Sequence, residues 1–271
     1  MPYRRWHMAL WLLIALLAAP VAAMAEDNAL DRITKAGVIR IAVPDNFPPF
    51  GNLGADGKLH GYDIDTAALI GQALGVNVDL VATASTDRIP SLTAGKVALV
   101  VSSLGKDAER EKLNDFSIAY APFFSAVYGP AALPVAKPED LAGKTIAVTR
   151  GTIEDTALTQ LAPPTATIKR YDDNAGTQVA FLSSQAELIA TGNAVAGEVL
   201  TKSLIKKTVL KFLLRNSPCY IGVAKNQPEL LARVNTVIGD ARKDGRLEVI
   251  SQRWLKMPLG DPEHPDVTAM K

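Results

Sequence analysis

The chain has 271 residues, and its 29 Lys+Arg and 28 Asp+Glu are spread along it rather than gathered into blocks. There is no basic stripe able to engage a phosphate backbone, which excludes a nucleic-acid binder, and the length is ample for one large domain or two modest ones. A single cysteine, Cys219, excludes an intrachain disulfide.

Arg4 and Arg5 precede an apolar run from Met8 to Val21 that ends in Ala23-Met24-Ala25. This is the pattern of a secretory signal peptide, shorter than the roughly 20 apolar residues of a membrane span. Cleavage is expected after Ala25, leaving a mature chain from Glu26; a retained N-terminal anchor is the alternative. Residues 1–25 carry two of the 29 basic residues and no acidic one, so the mature chain holds 27 against 28, a formal charge near −1. No cysteine lies near the cleavage site to carry a lipid. The expectation is a soluble periplasmic protein, not a lipoprotein.

Asp27 to Gly37 reads as a short amphipathic helix with Leu30 and Ile33 on one face, followed by a strand from Val38 to Val43. The strand runs into Pro44-Asp45-Asn46-Phe47-Pro48-Pro49-Phe50, where the prolines deny both helix and central strand. Phe47 and Phe50 are thus held on a stiff loop, either as a pocket wall or as plugs of the local core. A hairpin turn over 51–59 leads to Gly61-Tyr62-Asp63-Ile64-Asp65 and a helix that ends at Gly75. Asp63 and Asp65 fit an N-cap and a first-turn acid better than a metal-binding pair. A strand from Val76 to Val81 and a helix starting at Ile89 complete the approach to the most informative stretch.

That stretch is Val97 to Arg110. Val97-Ala98-Leu99-Val100-Val101 reads as a strand buried on both faces, as in parallel sheets covered by helices. Ser102, Ser103 and Gly105 then place two hydroxyls and backbone N–H groups at its carboxyl end, with Asp107 as helix cap and Arg110 in the first turn. Ligands of open α/β sheets bind beyond strand carboxyl ends, helix N-termini favour anions, and an arginine fork matches a carboxylate. The alternative is that Arg110 is a solvated helix residue.

Phe123 to Tyr128 is extended, and Pro130 to Pro138 is a Pro/Ala-rich connector that marks a lobe boundary. A second unit of the same kind follows. Strand Thr145–Thr149 meets Arg150-Gly151-Thr152, and Thr152 and Asp155 are spaced as a capping box, which makes a second strand-to-helix anion site. Thr177 to Ser184 is helical, Ala186 to Ala190 is a buried strand ending at Thr191-Gly192-Asn193, and Ala194 to Ser203 is helical. Val209–Arg215 and Tyr220–Ala224 are strands that return across a hinge. Helices over Pro228–Ala241 and Leu247–Leu255 precede a polar tail from Gly260. The expected organisation is lobe 1 over 26–126 and 218–259, lobe 2 over 127–217, and a flexible tail over 260–271. Two lobes that each present a helix N-terminus can close on one small anion by a hinge motion.

These residues resemble the extracellular solute-binding proteins of polar amino-acid ABC importers. The matching stretches are Val43-Pro44-Asp45 to Phe50, Gly61 to Asp65, Arg88-Ile89-Pro90-Ser91-Leu92, Ser102 to Arg110, Asp115-Phe116-Ser117, Leu141-Ala142-Gly143-Lys144, Gly151-Thr152, and Lys243-Asp244-Gly245-Arg246-Leu247 to Trp254. The resemblance implies the type II periplasmic-binding fold of class α/β, each lobe a mostly parallel sheet flanked by helices, joined by a two-strand hinge. It implies that Arg110 pairs with the ligand's α-carboxylate, that Gly105 and Thr152 offer N–H groups, that the amine reaches Ser103, and that Phe47 stacks on the ligand side chain. It further implies a monomer that delivers its ligand to an inner-membrane permease with ATPase subunits, and no cofactor or metal. Two positions depart from the family. Where an acidic residue often receives the ligand's ammonium stands Gly192, with Asn193 as a neutral substitute. Ser85 replaces an aromatic. Lys106 and Arg150, beside the two anion sites, either touch an acidic ligand or form a solvated rim.

An enzyme on the same scaffold, akin to the dehydratases that resemble this family, is the competing reading. It needs a positioned acid or base in the cleft. His7 lies in the signal, His60 in a loop and His264 in the tail, and Glu154 and Asp155 are the nearest carboxyls, explained by helix capping and the dipole. A sensory module would need an output domain that this chain does not carry.

Overall fold

The computed structural model describes residues 28–197 and 207–264; the signal-peptide segment, most of the helix expected over 194–203 and the tail beyond His264 lie outside them. Helix α1 (Ala29–Ala36) is capped by Asn28, whose side chain accepts from Leu30 N, and is stopped by Gly37 in the left-handed conformation. Strand β1 (Val38–Val43) leads to three short strands, β2 (Asn46–Phe47), β3 (Gly51–Leu53) and β4 (Leu59–His60), which pair antiparallel in a small sheet where only a hairpin turn was expected. Then come α2 (Tyr62–Leu74), β5 (Asn77–Ala82), α3 (Arg88–Thr93), β6 (Leu99–Leu104), α4 (Ala108–Leu113) and β7 (Asn114–Phe116). The chain crosses into the second lobe along β8 (Phe124–Pro130) and builds β9 (Thr145–Thr149), α5 (Ile153–Leu161), β10 (Thr167–Tyr171), α6 (Asn174–Leu182), β11 (Leu188–Gly192), the single turn α7 (Asn193–Val195) and β12 (Thr208–Asn216). It returns along β13 (Tyr220–Ala224) and ends with α8 (Pro228–Lys243) and α9 (Arg246–Trp254) packed on lobe 1.

Each lobe is a five-stranded sheet, β5-β1-β6-β13-β7 and β10-β9-β11-β8-β12. The two orders are one pattern: the first strand of each unit lies parallel between the second and the third, and the fourth position is an antiparallel strand joined directly to the crossing. The repeat read from the sequence is therefore a repeat of topology. Parallel strands of this kind point their carboxyl ends the same way, so the β6–α4 and β9–α5 turns lie on matching edges of the two sheets.

Two segments cross between the lobes, and they hold each other. Tyr120 N donates to Cys219 O at 2.9 Å, Cys219 N to Ala121 O at 3.0 Å, and Ser217 N to Phe123 O at 3.1 Å. The main apolar core fills lobe 1 between its sheet and α2, α8 and α9, with Ile39, Ile41, Leu99, Val234 and Ile238 fully or almost fully buried, and a smaller core of Ile146, Val148, Leu158 and Leu188 fills lobe 2. The chain expected to run free from Gly260 is packed as far as Glu263. Pro262 is buried, and the Glu263 carboxylate accepts from Ala119 N at 3.1 Å and Tyr220 Oη at 2.7 Å, one partner on each crossing segment.

Candidate functional site

A small cavity of about 20 Å³ lies where the two sheet edges face each other. Lobe 1 contributes Phe47, Ser85, Arg88, Ser103, Gly105 and Arg110, the crossing contributes Phe123, and lobe 2 contributes Thr152, Ile153, Glu154 and Asn174. A larger open groove of about 320 Å³ runs along the amino ends of β1 and β6, past Ile33, Leu92 and Leu230. The smaller cavity is the better candidate, because it sits at the strand carboxyl ends and carries buried charge.

Arg110 is the pivot of this site. Asp107 caps α4, accepting from Glu109 N at 3.0 Å and Arg110 N at 2.9 Å, and so orients the first turn. The Arg110 guanidinium then reaches across the gap, with Nη1 donating to Gly105 O at 2.7 Å and Nη2 to Gly151 O in the other lobe at 3.0 Å. Its side chain is only 15% exposed, so it is not a solvated helix residue. Burial pulls its pKa below the ordinary arginine value, while the charges of Asp107 and Glu154 oppose that shift.

Ser103 owes its position to a buried relay. Its φ of +42° is left-handed, a conformation that costs a non-glycine residue about 1–3 kcal/mol and persists only where the surroundings hold it. They do: Ser103 N donates to Tyr120 Oη at 3.1 Å, Tyr120 Oη donates to Asp63 Oδ1 at 2.5 Å, and Tyr62 Oη donates to Tyr120 O at 2.8 Å. Asp63 is fully buried, and burial raises its pKa to about 7 against the lowering effects of the Tyr120 bond and the Arg88 charge. Only Ser103 faces the cavity. Ser102, expected beside it at the strand end, lies within β6, fully buried with its hydroxyl unpartnered.

Gly105 and Gly151 let the lobes approach. A β-carbon at Gly105 would stand 2.6 Å from Ser217 Oγ and 3.2 Å from Ile153 in the opposite lobe, and Gly151 has a φ of +74°. Asn174 Nδ2 donates across the gap to Asn46 Oδ1 at 3.0 Å. Thr152 caps α5, its hydroxyl accepting from Asp155 N at 3.3 Å, while the Asp155 carboxylate accepts from Gly151 N and pairs with Arg170 at 2.7 Å. Phe47 reaches the cavity but is 7% exposed and stacked on Phe50, 5.8 Å between centroids, so it is wall and core at once.

Five of the seven residues expected at the site thus come together, and Gly192 and Asn193 do not line the cavity. The reason is Phe123: a β-carbon at Gly192 would stand 2.0 Å from its Cζ, so the ring occupies the space an acidic side chain would need. Asn193 Oδ1 accepts from Phe124 N at 3.1 Å and is thereby tied to the crossing strand. Lys106 and Arg150 turn outward to Glu111 at 2.9 Å and Asp172 at 3.3 Å, both as exposed pairs.

Two charged residues of the cavity were not singled out in the sequence as site residues. Glu154 was explained by the helix dipole, yet it is 5% exposed, lines the cavity, and takes a bond from Ser125 Oγ at 2.9 Å. Arg88 was noted only as part of a motif, yet it is 7% exposed with Nε unpartnered. Burial lowers it to about 10, with Asp63 opposing. An arginine opening an apolar helix just past a strand's carboxyl end was the available signal. Among the described residues, no group of three or more His, Cys, Asp or Glu side chains could hold a metal ion.

Two open α/β lobes, linked by paired crossings and enclosing buried charges at their strand ends, define a two-lobed solute-binding protein. Residues 39–257 match the family of Bacterial extracellular solute-binding proteins, family 3, and the chain belongs to that family. The L-cystine-binding protein TcyJ of Escherichia coli (strain K12) is 25% identical over 249 residues, covering 89% of this chain and 91% of that protein. Among solved structures, a mutant of ArgBP from T. maritima superposes with a TM-score of 0.78 at 26% identity, covering 84% of this chain and 99% of that one. An ancestral arginine-binding protein bound to glutamine gives 0.75 at 29% identity, covering 80% and 97%. A cyclohexadienyl dehydratase of Pseudomonas aeruginosa is 28% identical over 120 residues, 44% of this chain and 45% of that protein.

Proposed function

We propose that this chain is the substrate-binding component of an ABC importer, which captures an amino acid or a related small carboxylate between its lobes and delivers it to an inner-membrane permease with ATPase subunits. The observation that carries this reading is Arg110, a half-buried guanidinium that bonds both lobes at the facing strand ends. On this reading Arg110 receives the α-carboxylate, Gly105 and Thr152 offer N–H groups, Ser103 takes the amine and Phe47 packs on the side chain. Gly192 and Asn193 then shape the wall through Phe123 and Phe124 rather than touching the ligand.

The protein acts as a monomer in the periplasm, exported by a signal peptide cleaved after Ala25, with lobes over 26–126 plus 218–259 and over 127–217. It binds without chemistry of its own. Both described histidines lie at the surface, His60 paired with Asp56 and His264 with Asp261, and the Glu154 carboxylate on the cavity wall already accepts from Ser125 Oγ at 2.9 Å. A thermal-shift screen of the exported protein, unfolded and refolded to strip solute, tests the reading against amino acids, dicarboxylates and amines. A ligand at about 100 times its Kd adds roughly 2.7 kcal/mol of stability. A hit among amino acids or small carboxylates is expected, and silence across both classes would overturn the proposal.

A further inference from the structure

The cavity wall carries a charge pattern that narrows the ligand. Arg110 and Arg88 line it as cations and Glu154 as an anion, with Arg88 and Glu154 only 7% and 5% exposed. The other nearby carboxylates are committed elsewhere. Both bonds that Asp107 accepts come from the α4 backbone, its carboxylate standing 3.6 Å from Arg110 Nε, and Asp63 holds Tyr120 behind the wall. Among the described residues Arg88 enters no ion pair within 4 Å, and its buried Nε has no partner. A buried guanidinium without a direct anion is costly, so its place on the cavity wall calls for an anion from the ligand.

Resting on the importer reading, we infer that the cleft selects an acidic α-amino acid: Arg110 takes the α-carboxylate, Arg88 the side-chain carboxylate and Glu154 the ammonium. Two carboxylates and one ammonium complement two guanidinium groups and one carboxylate. A neutral amino acid leaves Arg88 without an anion, and a basic one sets a second cation against it. Glu154 also supplies the acidic partner whose usual place is closed by Phe123 against Gly192.

Isothermal titration of the refolded protein with L-aspartate and L-glutamate, against L-asparagine, L-glutamine and L-arginine, tests the inference. The acidic pair is expected to bind at least about tenfold tighter than its amides, because the amide trades a charge-assisted pair for a neutral one. Amides or arginine that bind as tightly as the acids overturn the inference and leave the importer reading standing, whereas binding of no amino acid and no small carboxylate removes that reading itself. Arg88→Gln should level acids and amides, and Arg88→Lys, which keeps the charge, should retain part of the preference even if the glutamine variant folds poorly. An undiminished preference in Arg88→Gln overturns the role of Arg88. Glu154→Gln should weaken L-glutamate at least about tenfold and leave glutarate, which lacks the ammonium, unaffected. Equal loss for both ligands overturns the role of Glu154.

Discussion

Gly192→Ala isolates the contact that distinguishes this cleft. The new β-carbon would meet Phe123 Cζ at 2.0 Å and Cε2 at 2.2 Å, so either the ring or β11 must move. The ring has little room to retreat: it is 2% exposed, with Phe50 at 5.6 Å and Phe47 at 6.4 Å between centroids. Overpacking of this kind costs about 1–3 kcal/mol. At about 2–4 °C per kcal/mol for a chain of this size, the Tm should fall by roughly 2–12 °C. Because Phe123 also lines the cavity, ligand affinity should fall with it. Thermal unfolding and calorimetry on the same preparation read both effects. Combining Gly192→Ala with Phe123→Leu should restore part of the Tm, since residues in contact couple by about 0.5–3 kcal/mol. A Gly192→Ala protein with unchanged Tm and unchanged affinity would refute the account of why no acidic residue stands there.

Three further outcomes follow from the same geometry. Arg110→Ala should abolish binding while circular dichroism stays native, because removing one partner of a desolvated charge pair costs about 3–5 kcal/mol; unchanged affinity sinks the site. Asn193→Asp should leave amino-acid affinity within about twofold, since position 193 serves the Phe124 amide through an oxygen that aspartate also has. A large gain in calorimetry would instead place the ligand's ammonium there. Asp63 gives a pH test. Its carboxyl moves from an ordinary 3.8 to about 7 on folding, so the native state holds the extra proton between those values, and this contribution is full below about pH 3.8 and lost as pH rises to about 7, at most about 4 kcal/mol. The Tm of wild type relative to Asp63→Asn should therefore fall from pH 4 to 7, and a flat or rising difference contradicts the burial argument.

What the sequence revealed and what it concealed divide along a physical line. Strand and helix order, the duplicated unit and the position of Arg110 past a strand's carboxyl end were legible because each is a local pattern: an apolar run, a small polar turn, a cap and a first-turn arginine. Asp107 capping α4 and Thr152 capping α5 are such local bonds, and both form. Arg88 and Glu154 were not legible, because a charged residue at a helix start reads the same whether it faces water or a cavity, and only packing of the second lobe against the first decides. Gly192 was misleading for a similar reason. Its missing carboxylate looks like a loss of ligand contact until Phe123, far off in the chain, proves to occupy the space. The small sheet of β2, β3 and β4 escaped notice because strands of two or three residues carry no periodicity.

The cross-lobe bonds give the closed form a defined role. Arg110 to Gly151 O, Asn174 to Asn46 Oδ1, and Arg215 to Lys106 O at 2.7 Å draw the two lobes together using protein groups alone. These bonds involve no atom of a solute, so their contribution to closure is the same for every ligand and does nothing to choose among them. Discrimination must come from groups that closure leaves facing the cavity with charge still to be matched. Arg88 is such a group, buried and without a direct anion, and Glu154 opposes it from the other lobe. The bonds between lobes set how readily the cleft shuts, and the buried charges decide on what it shuts.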